Sequence, residues 1–326
     1  MTIEERLIHL LNVSYPKTLT SLELADELDL EESSVDNLTA DLKDRNYPIT
    51  SHKQKHRLAY PVVSLLDIKK GLETTFIGET LHLHSTLRST NAYAKENLSK
   101  HREGTVILAQ EQTSGKGRLG RNWSSPMGGS ISMSVIVKPR IDFAKIPLLT
   151  QLTAASLVKA LESIADVKIK WPNDIILNRK KIAGILIESE FRGDSLSGII
   201  IGIGINTNLN KHNMPDSFRD KASSVKAETH TVVDPNALIQ SFLIHFENDY
   251  LAYMTTGDPS PFLSLCTEYS ALIGKDYWVT GKDHKRKATV KTIDSFGRLV
   301  VTYHDTNVTE AINSSAFSIR GADSYI

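Results

Sequence analysis

Residues 110–123 read Gln-Glu-Gln-Thr-Ser-Gly-Lys-Gly-Arg-Leu-Gly-Arg-Asn-Trp. Gly115, Gly117 and Gly120 stand at the spacing of a dinucleotide-binding fingerprint, which demands a helix directly after its glycines. Here Ser124-Ser125-Pro126 and Gly128-Gly129 carry the loop onward instead. A Gly-Lys-Ser/Thr at Walker A spacing is also missing. A doubly wound nucleotide-binding sheet is therefore excluded. What remains is a mobile glycine loop between β-prone runs at 105–109 and 130–137, carrying Lys116, Arg118 and Arg121 and closed by Trp123. Glycine admits close backbone approach, and clustered cations favour a phosphate or carboxylate. A solvated basic surface loop is the plainer reading. Three cations among three glycines, ending in an aromatic face for a purine or an apolar ligand, weigh against it.

Outward from this loop, a long amphipathic helix is expected over 145–165. Strands follow at 167–171, 174–178, 182–190 and 197–206, with turns at Asn178-Arg179-Lys180 and Gly193-Asp194. Asp234 caps a further helix with Pro235 at its first position, running to about 255. Strands joined by hairpins, with helices in separate blocks, argue an α+β fold. Residues 271–326 hold short β-prone stretches at 276–280, 288–293 and 298–303 between glycines and read as a small β-barrel.

Residues 1–60 read as a separate unit. Ile3, Leu7, Leu10 and Leu11 share one helical face. Thr20 and Glu23 form a capping box opening a second helix, and Val35, Leu38 and Leu42 stripe a third. Extended pieces at 49–51 and 57–60 flank a polar tip, Lys53-Gln54-Lys55-His56. Three helices and a hairpin are the plan of a winged helix-turn-helix; a three-helix interaction module fits the pattern equally well. The expected domains are 1–64, 65–270 and 271–326.

Of 326 residues, 40% are hydrophobic and 23% charged, the balance of a globular protein. With 38 basic and 38 acidic residues there is no bulk field to draw nucleic acid or membrane, so such a partner needs a local patch. The start, Met-Thr-Ile-Glu-Glu-Arg, lacks the apolar stretch of a signal peptide, and the longest apolar runs are too short to span a bilayer. No membrane partner is expected. The single Cys266 excludes an internal disulfide framework, and the cytoplasm is the expected compartment. The histidines show no metal-ligand spacing, so no metal held by protein side chains is expected. Cys266 lacks a paired histidine, so no covalent nucleophile is expected either.

Gly115-Lys116-Gly117-Arg118-Leu119-Gly120-Arg121-Asn122-Trp123 resembles the basic glycine loop of biotin protein ligases. Ser89-Thr90-Asn91, Lys170-Trp171-Pro172-Asn173-Asp174, Lys181-Ile182-Ala183-Gly184-Ile185-Leu186-Ile187-Glu188 and Gly202-Ile203-Gly204-Ile205-Asn206 follow in that family's order. With the N-terminal unit and the β tail, the resemblance covers essentially the whole chain and is to the bifunctional ligase/repressor branch. Lys116 stands where arginine is usual, which keeps the charge and loses the planar fork. Leu119 also departs from the common pattern.

The resemblance implies an N-terminal winged helix-turn-helix, a class II synthetase-like mixed sheet with helices, and an SH3-like C-terminal barrel. It implies ATP and biotin as substrates, with Mg²⁺ accompanying the ATP phosphates. Biotin would be bound by Ser89, Thr90, Asn91, Gln112, Lys116, Gly117, Arg118 and Lys181, and the adenylate by Gly115, Arg121, Trp123, Asn206 and Asn208. Lys181, Arg118 and Asp174 would carry the chemistry, Asp174 by orienting Lys181 or the incoming lysine. Plainer readings stand beside these: Ser89-Thr90-Asn91 as a helix cap, Asp174 as a turn residue, and 202–206 as a buried strand whose glycines admit a neighbouring backbone. Lys180 reads as a solvated turn residue. Implied partners are a biotin carboxyl carrier protein of acetyl-CoA carboxylase or pyruvate carboxylase, a second copy in a homodimer, and operator DNA met by Lys43, Arg45, Lys53, Lys55 and Arg57. The competing functions are a lipoate or octanoate ligase and a regulator that only senses biotin.

Overall fold

The computed structural model describes residues 2–210, 220–281, 285–321 and 325. Met1 of the expected first unit and residues 282–284, 322–324 and 326 of the expected third lie outside the described residues. The first helix, α1 (Ile3–Ser14), starts at a capping box between Thr2 and Glu5. A short strand, β1 (Leu19–Thr20), leads into α2 (Ser21–Leu28), opened by the Thr20/Glu23 box and ended by Asp29 in the left-handed region. After α3 (Glu32–Asp44), strands β2 (Ile49–His52) and β3 (Lys55–Leu58) form a hairpin. Lys53 and Gln54 both have positive φ, the geometry of a two-residue hairpin turn. The tip is thus shorter than expected, and His56 belongs to the inner face. It is buried, with its ring nitrogens against Ser21, Asp36 and Ser51. β3 lies between β1 and β2. The two-residue β1 has too short a pattern to be legible in sequence.

Leu7, Leu11, Leu24, Leu28, Val35, Leu42 and Leu58 fill the core of this unit, and Met127 from beyond the glycine loop joins it. The connection onward is α4 (Leu65–Gly71), capped by Ser64. His9 pairs with Asp67, and Asn12 donates to the Val62 carbonyl at 2.9 Å, tying α1 to this connection.

The central sheet contains β4 (Leu81–Leu87), β5 (Val106–Lys116), β7 (Ser130–Val137), β8 (Lys168–Lys170), β9 (Asp174–Leu177), β10 (Lys180–Arg192) and β11 (Ser195–Asn206) in the order β4-β5-β7-β11-β10-β9-β8, with β6 (Asn122–Ser125) added on β5. Only β4 and β5 run parallel among these pairs. Alternation sends Ile107, Ile136 and Ile200 to one face, under Ala94 of α5 (Thr90–Glu96). Their neighbours Val106, Leu108, Val135, Ile199 and Ile201 face α6 (Ile146–Leu161) and α8 (Pro235–Thr256).

Helix α6 is not amphipathic as the sequence suggested. All its residues from Leu148 to Leu161 except Thr150 and Lys159 are buried or packed inside. It is enclosed by the sheet, α8 and α9 (Ser260–Glu268), so its polar Thr153 and Ser156 turn their hydroxyls onto helix carbonyls. Cys266 is buried against it, donating to the Gln151 carbonyl, and burial pushes its thiol up to about 12. A short α7 (Val225–Thr229) follows the described end of the β11 loop.

The C-terminal unit is an antiparallel sheet of β12 (Asp276–Thr280), β13 (Lys285–Ile293), β14 (Leu299–Tyr303), β15 (Thr309–Ile312) and β16 (Ser318–Arg320). Its described pairings run in the line β15-β14-β13-β12-β16. β15 and β16 were not expected from sequence. Trp171 Nε1 donates to the Gly297 carbonyl at 2.9 Å, so this sheet is stitched directly to the central one. Among the described residues, no helix is long and apolar enough to cross a membrane.

Candidate functional site

The glycine stretch folds as a hairpin. Gly115 pairs with Trp123 and Lys116 with Asn122 across β5 and β6, leaving only 117–121 as the tip. A Cβ on Gly115 would stand 2.5 Å from the Trp123 carbonyl oxygen, so glycine is required for this pairing. At the tip, Gly117 N–H donates to the Arg121 carbonyl at 2.7 Å, and Leu119 and Gly120 take positive φ. Leu119 is 73% exposed there.

Behind the hairpin lies an open cleft of roughly 430 Å³. Its floor is the glycine strip of β10 and β11. A Cβ on Gly204 would meet Trp123 Cε2 at 2.5 Å, and one on Gly202 would collide with the Asn91 carboxamide. The glycines are therefore a slot for side chains, and 202–206 is a buried strand of which Gly202, Ile203 and Gly204 line the cleft. Trp123 roofs the slot. Its indole nitrogen is buried with no hydrogen-bond partner.

One end of the cleft is a closed polar cradle. Ser89 caps α5 by accepting from the Ala92 N–H. This puts the Thr90 N–H 2.9 Å from Gln112 Oε1. Gln112 Nε2 in turn donates to Ser125 and Ser132 at 3.2 and 3.3 Å. The Ser134 hydroxyl bridges Thr90 Oγ1 at 2.7 Å and Asn91 Oδ1 at 2.6 Å, while Asn91 Nδ2 donates to Glu188 at 2.8 Å. Ser132 and Ser134 were missed in the sequence. The signal was there: Ser130, Ser132 and Ser134 alternate with apolar residues, so one face of a strand with every residue buried is hydroxyl-lined.

The other end is charged. Lys181 sits at a β-bulge: its register partner is Ile176 while that of Ala183 is Ile175, so Ile182 is extra. A bulge re-aims side chains, and here it brings Lys181 Nζ onto the same face as Gly184, whose Cβ would be 2.8 Å away. Lys181 Nζ lies 2.5 Å from Asp174 Oδ1 and 5.3 Å from the Trp123 ring centre. The Asp174 side chain is only 13% exposed. Burial alone would push its carboxyl up. The Lys181 ammonium and the Tyr325 hydroxyl, which donates to Oδ2, outweigh burial and hold the group below the usual carboxylate range. Arg118 spans from the tip to Asn173 Oδ1 at 3.1 Å and to the Ser314 carbonyl. Burial lowers its guanidinium pKa. Asn173, which also donates to the Ile185 carbonyl, was missed; its motif was quoted without a role for it.

Ser89, Thr90, Asn91, Gln112, Lys116, Gly117, Arg118, Trp123 and Lys181 therefore converge on one cleft. Asp174 stands behind Lys181, and Arg121 is exposed beside the tip. Asn206 and Asn208 do not line the cleft. Asn206 Nδ2 donates to the Ser223 carbonyl at 3.0 Å, and Asn208 is fully buried, its amide exchanging two bonds with the Val233 backbone. Both brace the loop after β11. Lys180 is no solvated turn residue; it pairs with Glu228 at 3.0 Å. Arg45, expected to meet DNA, forks onto Glu4 at 2.6 and 3.0 Å and is half-buried. Lys43, Lys53, Lys55 and Arg57 are exposed.

The model of the family described as "Biotin/lipoate A/B protein ligase family" matches residues 83–206, the stretch from β4 to the end of β11. The chain is also 34% identical over 279 residues to the bifunctional ligase/repressor BirA of Bacillus subtilis, covering 84% of this chain and 86% of that one. It belongs to the biotin/lipoate A/B protein ligase family, and it is an enzyme. It is 28% identical over 222 residues to the biotin–[acetyl-CoA-carboxylase] ligase of Paracoccus denitrificans, covering 65% of this chain and 90% of that relative. The biotin protein ligase from Aquifex aeolicus, solved in complex with biotin and ATP, superposes with a TM-score of 0.65 at 25% identity, over 74% of this chain and 99% of that one.

Proposed function

We propose that this chain activates biotin with ATP and transfers it to a lysine of a biotin carboxyl carrier protein. The observation that carries the reading is the pairing of a cradle of mutually hydrogen-bonded amides and hydroxyls with a cationic end in one cleft. A ureido ring needs fixed dipoles in a dry pocket, and Thr90, Gln112, Ser132 and Asn91 offer them. The biotin carboxylate oxygen attacks the α-phosphorus, the bond to the β-phosphate oxygen breaks, and pyrophosphate leaves. Lys181 and Arg118 stabilise the negative charge that builds there. The acceptor amine then loses its proton and attacks the carbonyl carbon of biotinyl-5′-AMP, releasing AMP. Trp123 and the hairpin tip keep water from this mixed anhydride. The groups lining the cleft are amides, hydroxyls and cations; of the carboxylates beside it among the described residues, Asp174 is taken by Lys181 and Tyr325, and Glu188 accepts from Asn91. These residues do not fit a protein-held metal, so Mg²⁺ would arrive on the ATP phosphates.

The test is ATP–pyrophosphate exchange with biotin, lipoate or octanoate, followed by mass spectrometry of a carrier domain. Exchange with biotin alone and a biotinylated carrier lysine support the proposal. Exchange only with lipoate or octanoate replaces the substrate, and binding without exchange leaves a biotin sensor.

We further propose the domain division 1–64, 65–270 and 271–326, with a winged helix-turn-helix first and an SH3-like unit last, and a cytoplasmic, reducing location in keeping with the single buried thiol. Helix α3 exposes Glu32, Asp41 and Asp44, while Asp36 turns onto Ser21 and His56; phosphate-rich DNA repels the exposed carboxylates. Operator binding would then be led by Lys53, Lys55 and Arg57 on the β2–β3 hairpin, as a ligand-dependent homodimer. Anisotropy with the protein's own upstream DNA, at low salt with biotin and ATP, checks this. The triple alanine variant should lose binding and keep ligation. The absence of a specific complex in the parent leaves a ligase with an interaction module.

A further inference from the structure

Behind the charged end of the cleft, Tyr325 lies against the central sheet. Lys170 on β8 and Asp174 on β9 are direct cross-strand partners, so their side chains stand side by side. Tyr325 lies across both. Its carbonyl accepts from Lys170 Nζ at 2.6 Å, its ring centre is 3.4 Å from that ammonium, and its hydroxyl donates to Asp174 Oδ2. Asp174 Oδ1 faces Lys181 Nζ at 2.5 Å. The result is a chain of contacts, Lys170–Tyr325–Asp174–Lys181, that ends on the cation in the cleft.

We propose that Tyr325 is a positioning residue for ligation: its hydroxyl fixes the Asp174 carboxylate, and through it the place of Lys181 Nζ. A largely buried carboxylate needs donors on both oxygens. Lys181 meets one as an ion pair and Tyr325 donates to the other, so without the hydroxyl the Asp174 carboxylate would turn to place both oxygens toward Lys181. Lys181 would be drawn from the spot where charge builds, and a displacement of the order of 1 Å in such a group is costly. Burial, with the Asp174 charge beside it, raises the Tyr325 phenol, which keeps it a donor. Lys170 holds the Tyr325 carbonyl and ring, and the Tyr325 hydroxyl delivers the bond. The separation of 151 residues between donor and acceptor makes the contact invisible to any local motif.

The inference rests on the ligase reading, and the experiment separates the two. Biotin-dependent ATP–pyrophosphate exchange is measured for the parent, for Tyr325→Phe, for Asp174→Asn and for the double variant, with biotin affinity and melting temperature alongside. An inactive parent sinks the ligase reading. Given an active parent, Tyr325→Phe keeps the ring and the carbonyl on Lys170, so a purely structural tether predicts unchanged rates. Positioning predicts kcat lower by about tenfold, the worth of one hydrogen bond to a charged group, with KM for biotin within twofold and the melting temperature held. It also predicts that the tyrosine change costs nothing more in the Asp174→Asn background. A parent-like kcat in Tyr325→Phe, or an undiminished loss in the Asp174→Asn background, overturns it. So does a loss that appears equally in biotin affinity.

Discussion

The two ends of the cleft are built in opposite ways. At the cradle, Thr90, Asn91, Gln112, Ser132 and Ser134 sit on a helix start and two strands, and each side chain satisfies another. At the hairpin tip, residues 117–121 have two backbone bonds of their own, and Arg118 reaches outward to two separate elements. Neutral recognition benefits from dipoles fixed before the ligand arrives, because no reorganisation is then needed on binding. The charged end must admit ATP, shield an anhydride and readmit an amine, so it is hung on few contacts. The difference between the ends is thus a division of labour between selecting biotin and handling its activated form.

The largest effect should come from the fixed cation of the charged end. Lys181→Ala is expected to lower exchange by about 10²–10³, the usual loss for one donor to developing charge. It should also lower the melting temperature, since Asp174 is left buried without its cation. Adding Asp174→Asn should restore melting and not rate. A double variant with recovered exchange would remove Lys181 from the chemistry.

Ser134→Ala probes the cradle. It takes one hydroxyl from between Thr90 and Asn91, leaving buried polar groups short of a partner at a cost of about 1–3 kcal/mol. Biotin affinity, measured by titration calorimetry, should weaken about tenfold while kcat at saturating biotin holds. A fall in kcat with unchanged affinity would reverse the assignment of the two ends.

Arg118→Gly acts on the tip. It cuts both outward bonds and should release activated biotin to stray amines. The readout is labelling of a bystander protein. Labelling confined to the carrier would mean that the tip is not the cover.

The smallest effect is a pH slope. Burial pushes Lys170 down to about 7, against the attraction of Asp174 and with Arg320, Lys181 and Arg121 adding to the shift. The unfolded lysine titrates near 10.4. Between about pH 7 and about 10 the unfolded chain therefore holds a proton that the folded chain lacks, and stability rises with pH by at most about 1.4 kcal/mol per unit. Lys170→Met should flatten that rise in denaturation curves. An unchanged slope would place Lys170 in contact with water.

Parts of both ends were legible in the sequence because they are local. The basic glycine loop, the cap at Ser89 and the strands around 174–206 follow from glycine, capping and alternation within a few residues; the closure of that loop into a hairpin by β6 was not read. Asn208 and Arg45 misled because their roles are set by Val233 and Glu4, far away in the chain, and a buried amide or a forked guanidinium looks the same in sequence as a free one. Helix α6 misled for a related reason: its small and hydroxylated residues resemble a polar face until three neighbours enclose it. Ser132 and Ser134 could have been found from their alternation, and Asn173 from its place in a quoted motif.

Amide hydrogen exchange tests the division of labour most directly. Without ligand, residues 90–94 and 130–137 should already be protected, while 117–121 exchange freely. Biotin with ATP should slow 117–121 by at least tenfold and leave the cradle segments nearly unchanged. A tip protected before ligand is added, or a cradle that gains as much protection as the tip, would contradict it.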